Sequence, residues 1–498
     1  MTGGPRPFAP NPSALSALTE GFAAPAREQW LAAVRAALKG AAVADLTHHT
    51  VEDLAIAPLY GPEPHSARRS PQRSAAPDGA WDVRAVVVHP DPAEANRRIL
   101  DALAGGAGSI LLKIDPSGQA GCAIASTQDL ARALDGVMLE AATVALDASF
   151  LGPEAALWLA DAARGSPGAK LALHLDPLTA FAQAGQSPGP IDAHVAHAAE
   201  VAAEVGAAHP HAALFLATGA AVHEAGGSAA QELGFMAACA IAYAKALTAA
   251  GLPMAQALAG VTFGVCVDGE HLQSIAKLRA ARDIWARIAG ACGVDAPARI
   301  EARSSRRMLT ALDPWTNLIR LTAAGFAAGA GGADAVVLAP FTDALDGSSP
   351  LADRLARNIQ LILIEESHVG AVGDPAAGSW FIEDLTCELA REGWGVFRAI
   401  EAQGGAARPL EQGFIAGSVE GVRLARAAAV ADGSAPILGV TLYPDPDPSP
   451  VGLDRTDPAA FAKTGPDLRQ HGADSHCQAL VPVRTAEVAE QVALDIAP

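Results

Sequence analysis

The chain has 498 residues, 50% of them apolar, with 35 lysines and arginines against 54 aspartates and glutamates and a formal charge of −19. That length can bury one large core and a smaller piece, while the acidic balance argues against a nucleic-acid binder, which needs basic patches. The six cysteines (Cys122, Cys239, Cys266, Cys292, Cys387, Cys477) include no C-x-x-C pair, which argues for a reducing compartment and against a disulfide frame or a zinc knuckle.

Residues 1–25 are rich in Pro and Gly and read as extended, without the continuous apolar core of a signal peptide. Residues 26–39 read as an amphipathic helix with Trp30, Leu31, Val34 and Leu38 on one side. Such an arm packs either on a partner or on its own domain. Residues 61–80 read as a turn-rich solvated loop. Its cluster Arg68, Arg69 and Arg73 offers a contact for anionic groups as the other reading.

From Trp81 onward, strand-like and helix-like runs alternate. The strand candidates are Arg84–Val88, Ser109–Ile114, Thr143–Asp147, Leu171–Leu175, Ala213–Ala217, Thr262–Val267, Ala298–Arg303 and Ala335–Ala339. Helical runs follow each: Pro92–Leu103, Thr127–Leu139, Pro153–Ala163, Ile191–Val205, Ser228–Ala249, Leu272–Ile288, Pro314–Ala328 and Leu351–Glu365. Eight short apolar strands, each followed by a helix, predict an α/β fold, a (β/α)8 TIM barrel. A doubly wound sheet is the alternative. Thr127 to Asp129 and Asp313 with Pro314 read as helix starts. Gly105-Gly106 and Gly331-Gly332 read as helix stops. The apolar run Ala246–Val267 is long enough to consider as membrane-spanning. Its glycines and Pro253 instead predict a helix end, a loop and a buried strand, so a cytoplasmic chain is expected. Further on come a Gly-rich loop (366–385), helices over Leu385–Glu401 and 411–430, a strand over Ile437–Asp445, a Pro-rich break and a helical tail.

The working face of such a fold lies where strands end. After Ala213–Ala217 that stretch is mostly Ala and Gly. His223 and Glu224 could form a base with an acidic neighbour, but they read as a loop pair with no nucleophile beside them. His174 and Asp176 end the fourth strand on one side by alternation. A metal would need further ligands, and His194, His197, His209 and His211 read as helical or loop-borne. Lys277, Arg279 and Arg282 read as solvated or interface charges. Arg303, Arg306 and Arg307 make the best anion-binding candidate. No nucleotide fingerprint occurs in a strand–turn–helix context. Asp474-Ser475-His476 has the start of a D-x-H-x-x-G motif, but Ala479 stands at the glycine position and chance accounts for it.

Ile275–Ile288, Asp313–Thr322, Arg354–Thr386, Glu411–Arg423 and Glu224–Phe235 closely resemble the acyl-CoA mutases that use adenosylcobalamin. Within that family the match is nearest to the small (beta) subunits of methylmalonyl-CoA mutase, from about Leu46 onward. The resemblance implies a substrate barrel through which a CoA tail threads, and a cobalamin-binding flavodoxin-like domain after it in the catalytic chains. Residue by residue, it puts Val86 where the family has a substrate-facing tyrosine and Ala221 where it has a catalytic histidine. Arg303-Ser304-Ser305-Arg306 stand where it has Gln-Thr-Ser-Gly, and Val337-Leu338-Ala339 where it has His-Thr-Asn. The family's arginine has no counterpart between Arg164 and Arg279. Apolar replacements of polar groups are expected once a site no longer has to hold a transition state.

The expectations are therefore an N-terminal arm (1–45), a barrel (46–400) and a C-terminal extension (401–498), with the flavodoxin-like domain absent. No catalytic, cofactor-binding or metal residue is expected. The resemblance implies a non-catalytic subunit pairing with a methylmalonyl-CoA mutase large (alpha) subunit, which carries the adenosylcobalamin and isomerises (R)-methylmalonyl-CoA to succinyl-CoA. No nucleic acid or membrane partner is expected. The alternative is a catalytic substrate barrel served by a cobalamin domain on another polypeptide.

Overall fold

The structure, a computed structural model, describes residues 26–50, 54–61, 80–347, 349–447 and 449–496. The extended reading of residues 1–25 and the loop arginines Arg68, Arg69 and Arg73 lie outside these. The chain divides into two units, Met1–Tyr60 and Gly61–Pro498. In the first, Arg27–Ala37 form the expected helix and His48–His49 pair antiparallel with Ala55–Ile56.

In the second unit, eight parallel strands close a barrel. They are β1 (Asp82–Val87), β2 (Ser109–Lys113), β3 (Thr143–Asp147), β4 (Leu171–Leu175), β5 (Ala213–Thr218), β6 (Val261–Val267), β7 (Ile300–Ser304) and β8 (Ala335–Val337). β8 returns to β1 with Ala335 opposite Asp82 and Val336 opposite Val83. That closure rules out the doubly wound sheet and leaves the barrel without an edge.

The surrounding helices are α1 (Pro92–Ala104), α2 (Thr127–Ala133), α3 (Gly152–Ala162), α4 (Pro177–Ala184), α5 (Ile191–Ala208), α6 (Ala220–Glu224), α7 (Ala229–Ala249), α8 (Met254–Ala259), α9 (His271–Ala291), α10 (Asn317–Ala330) and α11 (Pro350–Glu365). After them come α12 (Trp380–Glu401), α13 (Ala407–Glu411), α14 (Phe414–Ala431) and α15 (Glu487–Ile496). Local chemistry sets their starts. Asp91 accepts the Ala93 N–H ahead of Pro92, and Ser228 and Gln231 form a capping box on α7. α2 is capped by Ser126, one residue before the expected start, and ends at Ala133. Asp313 caps a turn before α10, which starts at Asn317.

The core lies between barrel and helices. Phe215 of β5 stacks on Tyr243 of α7 at 4.5 Å, and Phe263 of β6 meets Trp285 of α9 edge-on at 4.9 Å. α12 presses on α7 where Gly234 faces Val396 and Gly393 faces Leu233. An added Cβ would come within 2.5 and 2.9 Å of those side chains, so the glycines set the close approach of the helices.

The run 246–267 resolves into the end of α7, α8 and the buried β6. Among the described residues one helix, Ala229–Ala249, is long and apolar enough to cross a membrane, but 67% of its most apolar stretch is buried within the fold. The strand expected over Ile437–Asp445 is absent. The chain turns back there, the Gly439 N–H donating to the Leu442 carbonyl with Gly439 and Tyr443 both at positive φ.

Candidate functional site

Two places in a (β/α)8 barrel could do chemistry on a threaded substrate: the lumen and the C-terminal rim. In the lumen, side chains from non-adjacent strands meet. Arg84 of β1 donates to Ser109 Oγ at 2.9 Å, to Asp82 Oδ2 at 3.1 Å and to Glu301 of β7. Arg303 reaches Glu301 Oε1 at 2.6 Å and Asp147 Oδ2 at 3.0 Å. Burial alone would raise the Glu301 carboxyl, but Arg303 and Arg84 override it and hold the group well below the usual carboxylate range. Next to this ionic layer, Leu111, Ala145, Ala172 and Val337 pack together, with Val86 and Ala213 against them. These residues come from six strands, so they meet across the barrel axis. Leu111 and Ala145 are 1% and 0% exposed. The lumen is a packed core at this level.

His174 and Asp176 do not converge. His174 takes φ +49°, which breaks strand alternation and leaves its Nε2 in the lumen, 3.9 Å from Glu301 Oε2. Burial pushes its pKa down to about 4. Asp176 caps α4, a helix the sequence reading missed, and accepts the Tyr243 hydroxyl from α7. Burial pushes the Asp176 carboxyl up to about 7 against the hydrogen bonds from Tyr243 and Thr179.

At the rim, His223 is a core residue rather than a loop one. Its Nδ1 lies 2.9 Å from Glu232 Oε2 and its Nε2 2.8 Å from Ser305 Oγ, with all three residues buried. Glu232 also takes the Lys277 ammonium at 2.7 Å and the Cys266 N–H at 2.7 Å. Burial raises the Glu232 carboxyl, and Lys277 with His223 more than reverses that, to about 2. His223, desolvated and facing Arg307, falls to about 4. His223, Glu232 and Cys266 have the donor types and spacing of a metal site. The Lys277 ammonium already supplies the cation this carboxylate needs, so the group does not fit a metal. Glu224 points elsewhere, accepting the Arg306 and Arg307 N–H groups at 3.0 and 2.9 Å.

The basic clusters are corrected in the same way. Lys277, Arg279 and Arg282 are each 3% exposed. They pair with Glu232, with Asp374 and Glu383, and with Asp334. Arg303, Arg306 and Arg307 form no anion site. Each is spent on carboxylates, Arg306 on Asp343 and Asp346 and Arg307 on Asp268. Apart from Glu301, two residues from Arg303, their opposite charges are distant in sequence, which is why spacing alone did not find them.

Ala221 is fully buried in α6, and Val86 packs in the lumen layer. Neither position brings a hydrogen-bonding side chain to a substrate. From Val451 to Glu490 the chain runs round the C-terminal rim. Val451 packs on the Phe341 cluster after β8, and Thr456 meets His89 after β1. The Lys463, Cys477, Val483 and Thr485 N–H groups donate to Pro116, Gly185, Glu224 and Arg307 carbonyls after β2, β4, β5 and β7. The Asp474–Cys477 stretch belongs to this strap. Asp474 is held by Arg469 at 2.9 Å and by the Gly189 N–H at 3.0 Å, and His476 bridges to Gln186. Asp474 and the backbone of His476 are thus engaged within the strap, and Ala479 stands where the motif has its glycine.

Comparison with known proteins agrees with this architecture. The sequence model described as methylmalonyl-CoA mutase matches residues 46–480. A probable methylmalonyl-CoA mutase small subunit of Mycobacterium bovis is 36% identical over 439 residues, covering 85% of this chain and 69% of the relative. The methylmalonyl-CoA mutase small subunit of Streptomyces virginiae is 36% identical over 468 residues, covering 88% and 73%. That of Propionibacterium freudenreichii subsp. shermanii is 33% identical over 422 residues, covering 80% and 64%. With a closed barrel, a matched span that takes in all eight strands, and relatives of this similarity, the chain belongs to the methylmalonyl-CoA mutase family.

Proposed function

We propose that this chain is a non-catalytic small subunit of a heterodimeric methylmalonyl-CoA mutase, supporting a large subunit that binds adenosylcobalamin and isomerises (R)-methylmalonyl-CoA to succinyl-CoA. The observation that carries the reading is the lumen. A substrate threaded along the axis would have to displace the layer of Leu111, Ala145, Ala172 and Val337 and the Arg84–Glu301–Arg303 ion pairs beside it. Removing a buried charge from its partner costs about 3–5 kcal/mol, so the closed form is heavily favoured over an open tunnel.

The two positions where family resemblance expects a tyrosine and a histidine hold Val86 and Ala221. Valine and alanine cannot donate a hydrogen bond to a thioester or take part in proton handling. The names of the relatives support a larger partner, and the three-part organisation and a cytoplasmic setting follow from the same reading.

Co-expression with a candidate large subunit tests it. Native mass measurement should find a one-to-one complex, and turnover with added adenosylcobalamin should require the large subunit. Failure of the chains to associate would refute the pairing. Turnover by this chain with a separate cobalamin domain would favour a catalytic barrel instead.

A further inference from the structure

Outside the barrel wall, a cavity of about 60 Å³ lies between α1 and α11 over β1. Val83, Ala85 and Val87 form part of its lining. Arg84 and Val86 of the same strand border it as well, and α1 and α11 close its outer side. That volume holds several water molecules, or one small polyatomic ion.

Its polar lining is basic. Arg97, Arg98, Arg354 and Arg357 all border it, with Asp101 and Asp353. The carboxylates are already used. Arg97 takes Glu94 and Asp101, and Arg98 takes Glu94, Asp353 and Asp454. Arg354 and Arg357, one helical turn apart on α11, make no ion pair or side-chain hydrogen bond among the described residues. Two unneutralised guanidinium groups beside one cavity stand out in a chain of formal charge −19, in which the arginines of the lumen and rim are matched to acids.

Arg357 is also held in place. Its guanidinium lies flat on the chain at Gly105, where an added Cβ would come within 2.4 Å of Cζ. Its Nε is buried without a hydrogen-bond partner, and a buried donor of that kind leaves about 1–3 kcal/mol unrecovered until something accepts from it. Guanidinium groups bind tetrahedral oxyanions through paired N–H donors.

We infer that this cavity is a binding site for a small tetrahedral oxyanion of the phosphate class, held by Arg354 and Arg357. The ion would accept from both guanidinium groups and tie α11 to the end of α1. The site is independent of whether the chain pairs with a catalytic subunit.

Titration of the full chain with inorganic phosphate at constant ionic strength, followed by calorimetry and by the thermal midpoint, tests this. Saturable binding and a rising midpoint are expected, since a ligand of the native state alone stabilises it. Arg357→Gln and Arg354→Gln should each weaken binding by about tenfold or more. Arg354 is exposed, so its variant keeps the fold, which circular dichroism checks. A glycerol phosphate arm separates the sources: binding of both ligands identifies a phosphoryl group with an open side, and binding of inorganic phosphate alone identifies the free ion. A midpoint that follows ionic strength alone, or a phosphate response unchanged in both variants, overturns the inference.

Discussion

The ammonium of Lys277 lies 2.7 Å from Oε2 of Glu232, and both residues are shut away from solvent between α7, α9 and the ends of β6 and β7. The same carboxylate oxygen takes His223 Nδ1, so one buried acid neutralises a cation and orients a ring. Lys277→Met removes the cation and leaves the acid. Breaking a buried pair from one side costs about 3–5 kcal/mol, and urea unfolding should show a loss of that size with an unchanged m-value.

Glu232 also contributes to the acid sensitivity of the fold. Its carboxyl sits at about 2 in the folded chain against 4.5 as its ordinary value. A depressed acid stabilises above its unfolded pKa, and that contribution drains away as pH falls from about 4.5 toward 2. The thermal midpoint of the native sequence should fall through this window. Glu232→Gln, less stable at neutral pH, should lose less of its remaining midpoint there.

Asp176 has the opposite sign. Burial raises its carboxyl from 3.8 to about 7, so its contribution is present below its unfolded pKa and lost as pH rises through about 7. Asp176→Asn keeps an acceptor for Tyr243 without the charge. The midpoint of this variant relative to the native chain should improve steadily between pH 4 and pH 8.

The lumen layer behaves as core. Leu111→Ala deletes a side chain that is 1% exposed, and such truncations cost about 2–5 kcal/mol. The variant should be less stable by that amount and should gain no affinity for an acyl-CoA, because Arg84, Glu301 and Arg303 still cross the axis. Calorimetric titration of the folded variant checks both halves.

A glycine lets the rim strap approach the barrel closely. Gly189 takes φ +107°, and a Cβ there would stand 2.4 Å from the Gln470 carbonyl oxygen. Gly189→Ala adds strain and contact together, about 1–3 kcal/mol. The strap around residues 463–480 should then be cut faster by protease than in the native chain, while the barrel stays intact.

Much of the barrel was legible in the sequence because short buried parallel strands are written as local apolar runs. Thr143–Asp147 and Leu171–Leu175 have the bounds read from the sequence. Ile437–Asp445 has the same apolar character, and a tight turn at Gly439 overrides it. The lumen and rim were far less legible. His223 looks like a loop residue until α6 and α7 bring Glu232 and Ser305 to it, and Lys277 looks solvated until α9 turns it inward. Each of those pairs joins residues on separate elements, so no spacing rule announces them. The rim strap was missed for a related reason: it is held by backbone hydrogen bonds from an extended segment without a periodic pattern. Val86 and Ala221 were found the other way round, as apolar residues where a family resemblance expects polar ones.

The closed, toolless barrel is the central claim, and a calorimetric titration of the purified chain with methylmalonyl-CoA tests it most directly. No saturable heat is expected, and no succinyl-CoA should form when adenosylcobalamin is added. Saturable binding followed by conversion of the ester would contradict it.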